Sequence, residues 1–296
     1  MSDLAITCEP PIVPANLNFS LADPREAKAM ILTGAAWVIA LAAAVPLLSV
    51  LYMLVSTGGA RLGLDLFTDL PPAGFEMGGG FGNAIIGTVA MVWLASVISI
   101  PLGILAAVYL VEIAPDSRTA RITRFVAKVL TGFPSILAGV FVYAAVVVAM
   151  NSYSALAGGL ALAVLMLPTM VLTAAEAMAM VPRKIKDAAL GMGCTHTQMI
   201  LKVVVPTAAP GILTGVMLAV ARVSGESAPL LFTALFSNYW FSGFGQPTAS
   251  LSILIYNFSS MPFDNQIELA WTASLVLVLI VLLFNILSRL VGRPKV

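Results

Sequence analysis

Long apolar stretches separated by short polar ones dominate the pattern of hydrophobic and polar positions along the chain. Each stretch exceeds the roughly 20 residues that an α-helix needs to cross the hydrocarbon core of a bilayer. A transmembrane β-barrel would instead show alternating segments of about ten residues. The pattern therefore predicts an all-α integral membrane protein with six transmembrane helices, at Met30–Val55, Gly82–Val111, Phe125–Met150, Ala155–Met180, Ala208–Leu235 and Ile267–Leu290.

Composition supports a membrane protein and excludes other classes. Of the 296 residues, 60% are hydrophobic and only 10% are charged, whereas about 25% of residues are charged in a typical soluble domain. The net charge of +1 indicates no nucleic-acid partner. The two cysteines, Cys8 and Cys194, are too few and too far apart for a disulfide framework or a metal site. We expect no metal and no cofactor.

Basic residues lie almost entirely on one side of the predicted helices. Of the 15 Lys and Arg residues, Arg61 alone falls on the other side and Arg222 falls within a helix. Because basic loops stay in the cytoplasm, both termini are predicted to be cytoplasmic. The predicted organisation is a cytoplasmic N-terminal segment (1–29), a six-helix domain (30–291) and a cytoplasmic tail (292–296).

The loop between the fourth and fifth predicted helices, residues 181–207, is longer than the others. Its first part, "RKIKDAALGM", predicts a short amphipathic helix with Ile185, Ala188, Ala189 and Met192 on one face. Two glycines then permit a tight turn, and a second helix follows that Pro206 is expected to interrupt. Composition alone is equally compatible with an interfacial helix that lies on lipid headgroups.

The spacing of five residues in this loop is more specific. Asp187, Ala188 and Ala189 are followed by Gly193 four positions later and by Pro206 at the end of an aliphatic stretch. This arrangement resembles the EAA loop of the membrane subunits of ABC importers, with Asp in place of Glu. The resemblance implies the architecture of a type I ABC importer permease. It also implies that the short helix is a coupling helix, which docks on the ATPase subunit.

The chain itself has no sequence for ATP hydrolysis. A P-loop requires Gly-Lys-[Ser/Thr], because its backbone N–H groups and its lysine hold the phosphates. None of the six lysines follows a glycine. We therefore expect a transport subunit without its own ATPase site, driven by another polypeptide.

Three further stretches resemble one family of importer permeases. They are Phe67–Val89, Gly211–Trp240 and Gln246–Ser259, and they are similar to the PstA family of permease subunits of high-affinity phosphate importers. The resemblance implies a multi-pass protein of the bacterial cytoplasmic membrane that transports phosphate. The implied partners are a PstC-like sister permease, a dimer of ATP-binding subunits on the cytoplasmic side and an extracytoplasmic phosphate-binding protein.

Two charged residues stand inside the fifth predicted helix. Arg222 and Glu226 are one helical turn apart, and charge at membrane depth costs roughly 2.5–3.5 kcal/mol per residue on insertion scales. A guanidinium fork binds phosphate oxygens in a bidentate manner, which predicts a place on the transport pathway. Gly225 permits close approach of a ligand or helix, and Pro229 is expected to kink the helix. The alternative is a structural salt bridge that holds the subunit to its partner.

Two other functions remain open from the sequence. The EAA loop does not specify the solute, so the chain could be a permease for another oxyanion or polar solute. A secondary transporter driven by an ion gradient belongs to a different class; it needs no ATPase-docking loop and often shows inverted repeats.

Overall fold

The structure, a computed structural model, describes residues 24–291, and it describes side chains from Lys28 to Leu287. The proposed tail 292–296 and almost all of the proposed segment 1–29 lie outside these residues. The regular elements of the described part are helices, with single turns at Asp65–Thr68 and Ala228–Leu231. The longer ones are α1 (Pro24–Gly58), α2 (Gly82–Ile113), α3 (Arg118–Thr131), α4 (Ser135–Met150), α5 (Ala155–Ala179), α6 (Arg183–Gly191), α7 (His196–Ser224), α8 (Leu251–Ser259) and α9 (Asp264–Val291).

The chain divides into two compact units, residues 1–52 and 53–296. The described part of the first unit is the larger part of α1. This helix is apolar over a length that suffices to span a membrane, and it contains Pro46 without ending there.

The second unit is built around α5. This helix is the most buried of the candidate spans, and α2 packs along it more extensively than any other helix does. Met91 of α2 and Met166 and Met170 of α5 are fully buried in the centre of this contact. Across the described residues, five helices are long and apolar enough to cross a membrane, and the number becomes six if the bent pair α3–α4 counts as one span. The predicted all-α membrane fold is confirmed.

The third predicted span, Phe125–Met150, is not one straight helix. α3 and α4 meet at an angle of 107°, and the break lies at residues 132–134. Pro134 lacks an N–H and disfavours a helical conformation in the residue before it, which explains where the break occurs. The start of the apolar run belongs to α3, an amphipathic helix that buries Ala120 and Ala127 and exposes Arg118, Arg121 and Lys128.

The expected interruption at Pro206 is wrong. α7 runs without a break from His196 to Ser224, and a single π-helical turn, Ile200–Val204, stands directly before Val205 and Pro206. A π turn pairs each N–H with the carbonyl five residues earlier. The change of hydrogen-bond register just before the proline lets the helix continue, although Pro206 donates no bond of its own.

Candidate functional site

The fifth predicted span ends earlier than expected, at the pair of charged residues. α7 stops at Ser224, and the N–H of Gly225 bonds the carbonyl of Arg222 at 3.3 Å. The Glu226 N–H bonds the carbonyl of Val223 at 3.2 Å. The chain then continues without regular structure to the single turn Ala228–Leu231. The helix therefore breaks at Gly225, three residues before that turn.

The sequence predicts a kink at Gly225 and Pro229, and in the structure the helix is interrupted there, with the break at Gly225 and ahead of Pro229. Pro229 stands at the start of the Ala228–Leu231 turn, where a missing N–H costs no helical hydrogen bond. It is buried against α4, and a Cβ added to Gly139 would lie 2.6 Å from its Cα atom. Pro229 thus fixes the segment after α7 against α4 rather than bending α7.

Arg222 and Glu226 do not form a salt bridge in this structure. Among residues 28–287, the ion pairs are Arg61–Glu268 and Lys186–Glu112. The Arg222 side chain lies on the exposed surface of the chain, at the last turn of α7, and Glu226 is half-buried. Because Glu226 follows the end of the helix, it does not share a helical face with Arg222. The guanidinium therefore keeps its donors free of acidic partners within the described part of the subunit.

Two neighbouring elements fix the backbone around Glu226. The Ser252 hydroxyl of α8 donates to the Glu226 carbonyl at 2.9 Å. Leu251, which precedes Ser252, donates its N–H to the Thr88 hydroxyl of α2 at 2.9 Å. Ser250 caps α8 by accepting from the N–H of Ile253. The broken end of α7, the start of α8 and the N-terminal part of α2 thus meet at one place.

Gly87 allows this meeting, because a Cβ at that position would overlap the Ala249 carbonyl oxygen. We expect Gly87→Ala to lower the stability of the folded protein by about 1–3 kcal/mol, the usual cost of overpacking. A thermal unfolding assay of the purified protein measures the effect. Gly34→Ala is the matched control, since nothing lies within 4 Å of a Cβ at Gly34. An equal melting temperature for the two variants would contradict the packing described here.

The helix predicted in the long loop is α6, and its orientation differs in part from the prediction. Ala189 is buried, whereas Ile185, Ala188 and Met192 are exposed. The four residues were expected on one face, but the helix turns Ala189 inward together with Lys186, three positions before it. The other three form a narrow apolar strip on the exposed side. Asp187 is also exposed.

The turn after α6 depends on Gly193. Its φ of +88° lies in a region that L-residues with a side chain rarely adopt. Its N–H bonds the Leu190 carbonyl at 2.9 Å, and the Cys194 N–H bonds the Ala189 carbonyl at 3.2 Å. These bonds reverse the chain, and Thr195 then caps α7 in a capping box with Gln198.

One interaction near α6 was not anticipated from the sequence. The Lys186 ammonium lies 2.6 Å from a carboxylate oxygen of Glu112, and the side chains are 16% and 5% exposed. Glu112 belongs to the π-helical last turn of α2, Tyr109–Ile113. Lys186 was counted only as a basic loop residue. The one local signal for this interaction is that Glu112 ends an apolar run. Its partner Lys186 is 74 positions away and cannot be identified from the local sequence.

Comparisons with known proteins agree with this architecture. The family described as "Binding-protein-dependent transport system inner membrane component" matches residues 99–294. In solved structures, a chain of the MetNI methionine ABC transporter in an inward-facing conformation has a TM-score of 0.59 at 21% identity, covering 71% of this chain and 93% of that one. A chain of an amino acid ABC transporter has a TM-score of 0.52 at 19% identity, covering 72% and 92%. These two likenesses concern the fold.

Closer relatives carry one name. The "Phosphate transport system permease protein PstA" of Yersinia pestis is 40% identical over 249 residues, 84% of each chain. The protein of that name in Xylella fastidiosa strain 9a5c is 43% identical, covering 82% of this chain and 85% of the relative. The "Probable phosphate transport system permease protein PstA" of Methanocaldococcus jannaschii is 41% identical, covering 69% and 73%. From the family match and these relatives, we conclude that the chain belongs to the binding-protein-dependent transport system inner membrane component family.

Proposed function

We propose that the chain is the permease subunit of an ATP-driven phosphate importer and forms the translocation pathway together with a sister permease. The observation that carries this proposal is the 40–43% identity, over more than four fifths of the chain, to bacterial proteins named PstA phosphate permeases. The arrangement around Arg222 supports the same solute. It places a permanently charged side chain at the end of an apolar helix. A dehydrated anion needs such a positive partner.

Arg222 has the chemistry that phosphate requires. Its guanidinium offers five N–H donors in a planar fork, which matches two oxygens of a tetrahedral oxyanion. The side chain is exposed and forms no ion pair with the described acidic residues. The energetic reason to keep such a charge at membrane depth is then its interaction with the solute or with the facing permease. The unpaired guanidinium supports the pathway role, and a structural contact that holds the subunit to its partner is the alternative.

Glu226 has a separate role in the proposal. Its carboxylate follows Arg222 beyond the helix break, and its backbone is fixed by Ser252. A carboxylate there can accept a hydrogen bond from a protonated phosphate oxygen. It can also pair with Arg222 when Gly225 changes conformation, which would close the pathway between transport events. Gly225 is exposed, and a Cβ at this position would meet only the Arg222 carbonyl oxygen, at 3.9 Å, so such a change meets no packed side chain.

ATP is hydrolysed by a separate subunit, which docks on α6. The exposed strip of Ile185, Ala188 and Met192 provides an apolar surface, and Asp187 adds a charge beside it. The turn at Gly193 and the aliphatic stretch up to Pro206 connect this surface to α7. A dimer of ATP-binding subunits, a PstC-like sister permease and an extracytoplasmic phosphate-binding protein complete the proposed complex.

Uptake of radiolabelled phosphate tests the proposal. Cells that lack this chain should lose high-affinity uptake, and restoring the chain should return it. An excess of unlabelled sulfate should leave the restored uptake unchanged. Uptake that sulfate abolishes, or restoration of sulfate but not phosphate transport, would instead assign the chain to another oxyanion. Restored uptake that persists in cells without the ATPase subunit would indicate a transporter driven by an ion gradient.

The proposed orientation places both termini in the cytoplasm, and reporter fusions test it. We expect fusions after Arg124 in α3 or Lys202 near the start of α7 to report a cytoplasmic location, because the basic residues concentrate around these two positions. Fusions near Gly74 or Gln246 should report the outside. An alkaline phosphatase fusion, which is active only outside the cytoplasm, measures the difference. Phosphatase activity at Lys202 would contradict the six-span arrangement.

A further inference from the structure

The Lys186–Glu112 ion pair joins α6 to a helix that is distant in the sequence. The ammonium and the carboxylate are 2.6 Å apart, and both side chains are largely withdrawn from solvent. An ion pair in such surroundings is directional and strong, because little water competes for either charge. Removing one partner leaves the other buried without compensation.

α6 is linked to the membrane helices in two further ways, and neither is a directional bond to α2. Its chain continues into α5 on one side and into α7 on the other. Ala189 also packs in an apolar cluster that includes Ala107 of α2, Met178 of α5 and Val204 of α7. Apolar contacts of this kind are not directional. The Lys186–Glu112 pair is therefore the specific bond between α6 and α2.

The end of α2 that receives this bond has an unusual form. Its last turn, Tyr109–Ile113, is π-helical, a feature that occurs frequently at functional sites. The Arg124 guanidinium donates to the Leu110 carbonyl in the same turn at 2.9 Å, which ties α3 to it. The carbonyls and charges of this one turn thus connect α2 with both α3 and α6.

The N-terminal part of α2, around Thr88, contacts the candidate pathway. Thr88 accepts the hydrogen bond from the Leu251 N–H, and Ser252 beside it donates to the Glu226 carbonyl. Thr88 and Glu112 are about 36 Å apart along the helix at about 1.5 Å per residue. α2 continues between them as one helix, with Pro101 inside it. A displacement of its Glu112 end can therefore reach the contacts at Thr88 either directly or as a bend at Pro101.

We propose that Lys186 and Glu112 are positioning residues that transmit the movement of the coupling helix α6 into α2, and so to the backbone of Glu226 at the pathway. The inference rests on the proposed function of α6 as the docking element for the ATPase. α7 receives the same movement through the turn at Gly193. The ATPase thereby drives two helices that meet at the site, one through the chain itself and one through the ion pair.

The test uses the complete transporter reconstituted in liposomes. The phosphate-binding protein is supplied on the side of the membrane that corresponds to the extracytoplasmic side of the permease. The variants are Lys186→Met, Glu112→Gln and the exchange Lys186→Glu/Glu112→Lys. Lys128→Met is the matched control, because this lysine is exposed on α3, outside the docking helix, and forms no ion pair within the described residues. Phosphate uptake and ATP hydrolysis are measured in the same preparation, and the yield of assembled complex is determined for each variant.

We expect Lys186→Met and Glu112→Gln to hydrolyse ATP but to transport about tenfold less phosphate per ATP than the wild type. Lys128→Met should keep the wild-type ratio. The exchange variant should recover a substantial part of the ratio, which a loss of general stability would not explain. A wild-type ratio in both single variants would overturn the inference. A fall in uptake that only follows a lower yield of complex would overturn it as well.

A second measurement does not depend on the transported solute. Spin labels at Ile86 of α2 and Leu218 of α7, both exposed, report the distance between these helices after Cys8 and Cys194 are replaced by serine. We expect this distance to change between the nucleotide-free and the vanadate-trapped complex. The change should be lost in Lys186→Met but kept in Lys128→Met. A change preserved in Lys186→Met refutes the inference. Failure of the wild type to import phosphate refutes the proposed function instead.

Discussion

Replacing Arg222 by lysine should reduce phosphate uptake about 10- to 100-fold while the complex still assembles and hydrolyses ATP. Lysine keeps the charge but loses the planar fork. The loss of one charge-assisted hydrogen bond costs about 1.5–3 kcal/mol, and every 1.4 kcal/mol is a factor of ten in rate. Initial rates of radiolabelled uptake, together with the yield of co-purified complex, measure the effect. Arg121→Lys, at an exposed position of α3, is the matched control.

The double variant Arg222→Met/Glu226→Met distinguishes the pathway role from a structural one. Because the two side chains do not pair in this structure, removing both charges should leave the yield of complex unchanged and still stop uptake. If Arg222→Lys retains normal uptake and the double variant transports phosphate at the wild-type rate, Arg222 does not act on the solute. The pair would then have only a structural role, in a conformation other than the one described.

Substitution of Gly193 by valine should separate the permease from its ATPase. The backbone φ of +88° at this position is strained for any residue with a side chain, at a cost of about 1–3 kcal/mol, and more for a β-branched one. The turn after α6 should therefore rearrange and displace the docking surface. We expect several-fold less ATPase to co-purify with the permease, and a matching loss of uptake.

Gly191→Val supplies the control for this prediction. Gly191 is the last residue of α6, is exposed, and has open space around a Cβ position. Its φ is not in the positive region, so valine adds bulk there without backbone strain. ATPase binding should stay near normal in this variant. Equal losses in both variants would show that surface bulk, rather than the turn geometry, disturbs the docking.

The features that depend on local sequence could be predicted well. Apolar runs determine which segments can cross the membrane, and their length and composition are local properties. The spacing from Asp187 to Gly193 and Pro206 likewise specifies α6 and the turn after it. Pro134 is a local signal for the break between α3 and α4, because proline acts on its immediate neighbours. The sharpness of that break was not predictable, because the apolar residues at the end of α3 continue directly into those of α4 in the sequence.

The features that depend on distant partners could not be predicted. Helical periodicity placed Arg222 and Glu226 on one face, yet the helix ends between them. Its broken end is compensated by Ser252, and Thr88 holds the adjacent start of α8. These hydroxyls come from other parts of the chain and leave no local pattern. The same holds for Glu112 and Lys186, whose pairing follows only from how α2 and α6 pack.

The sharp bend between α3 and α4 also determines how the protein fits its bilayer. α4 comprises residues Ser135–Met150, about 24 Å of helix, and it ends where Asn151 adopts a positive φ. Its Leu137, Val140 and Phe141 side chains are exposed. A hydrocarbon core of about 30 Å is longer than this helix. Where lipid rather than another subunit borders α4, the bilayer accommodates the difference by thinning, at fractions of a kcal/mol per ångström. A membrane of long acyl chains opposes that thinning. Lipid chain length should therefore affect the stability of the protein around α4 and its junction with α3.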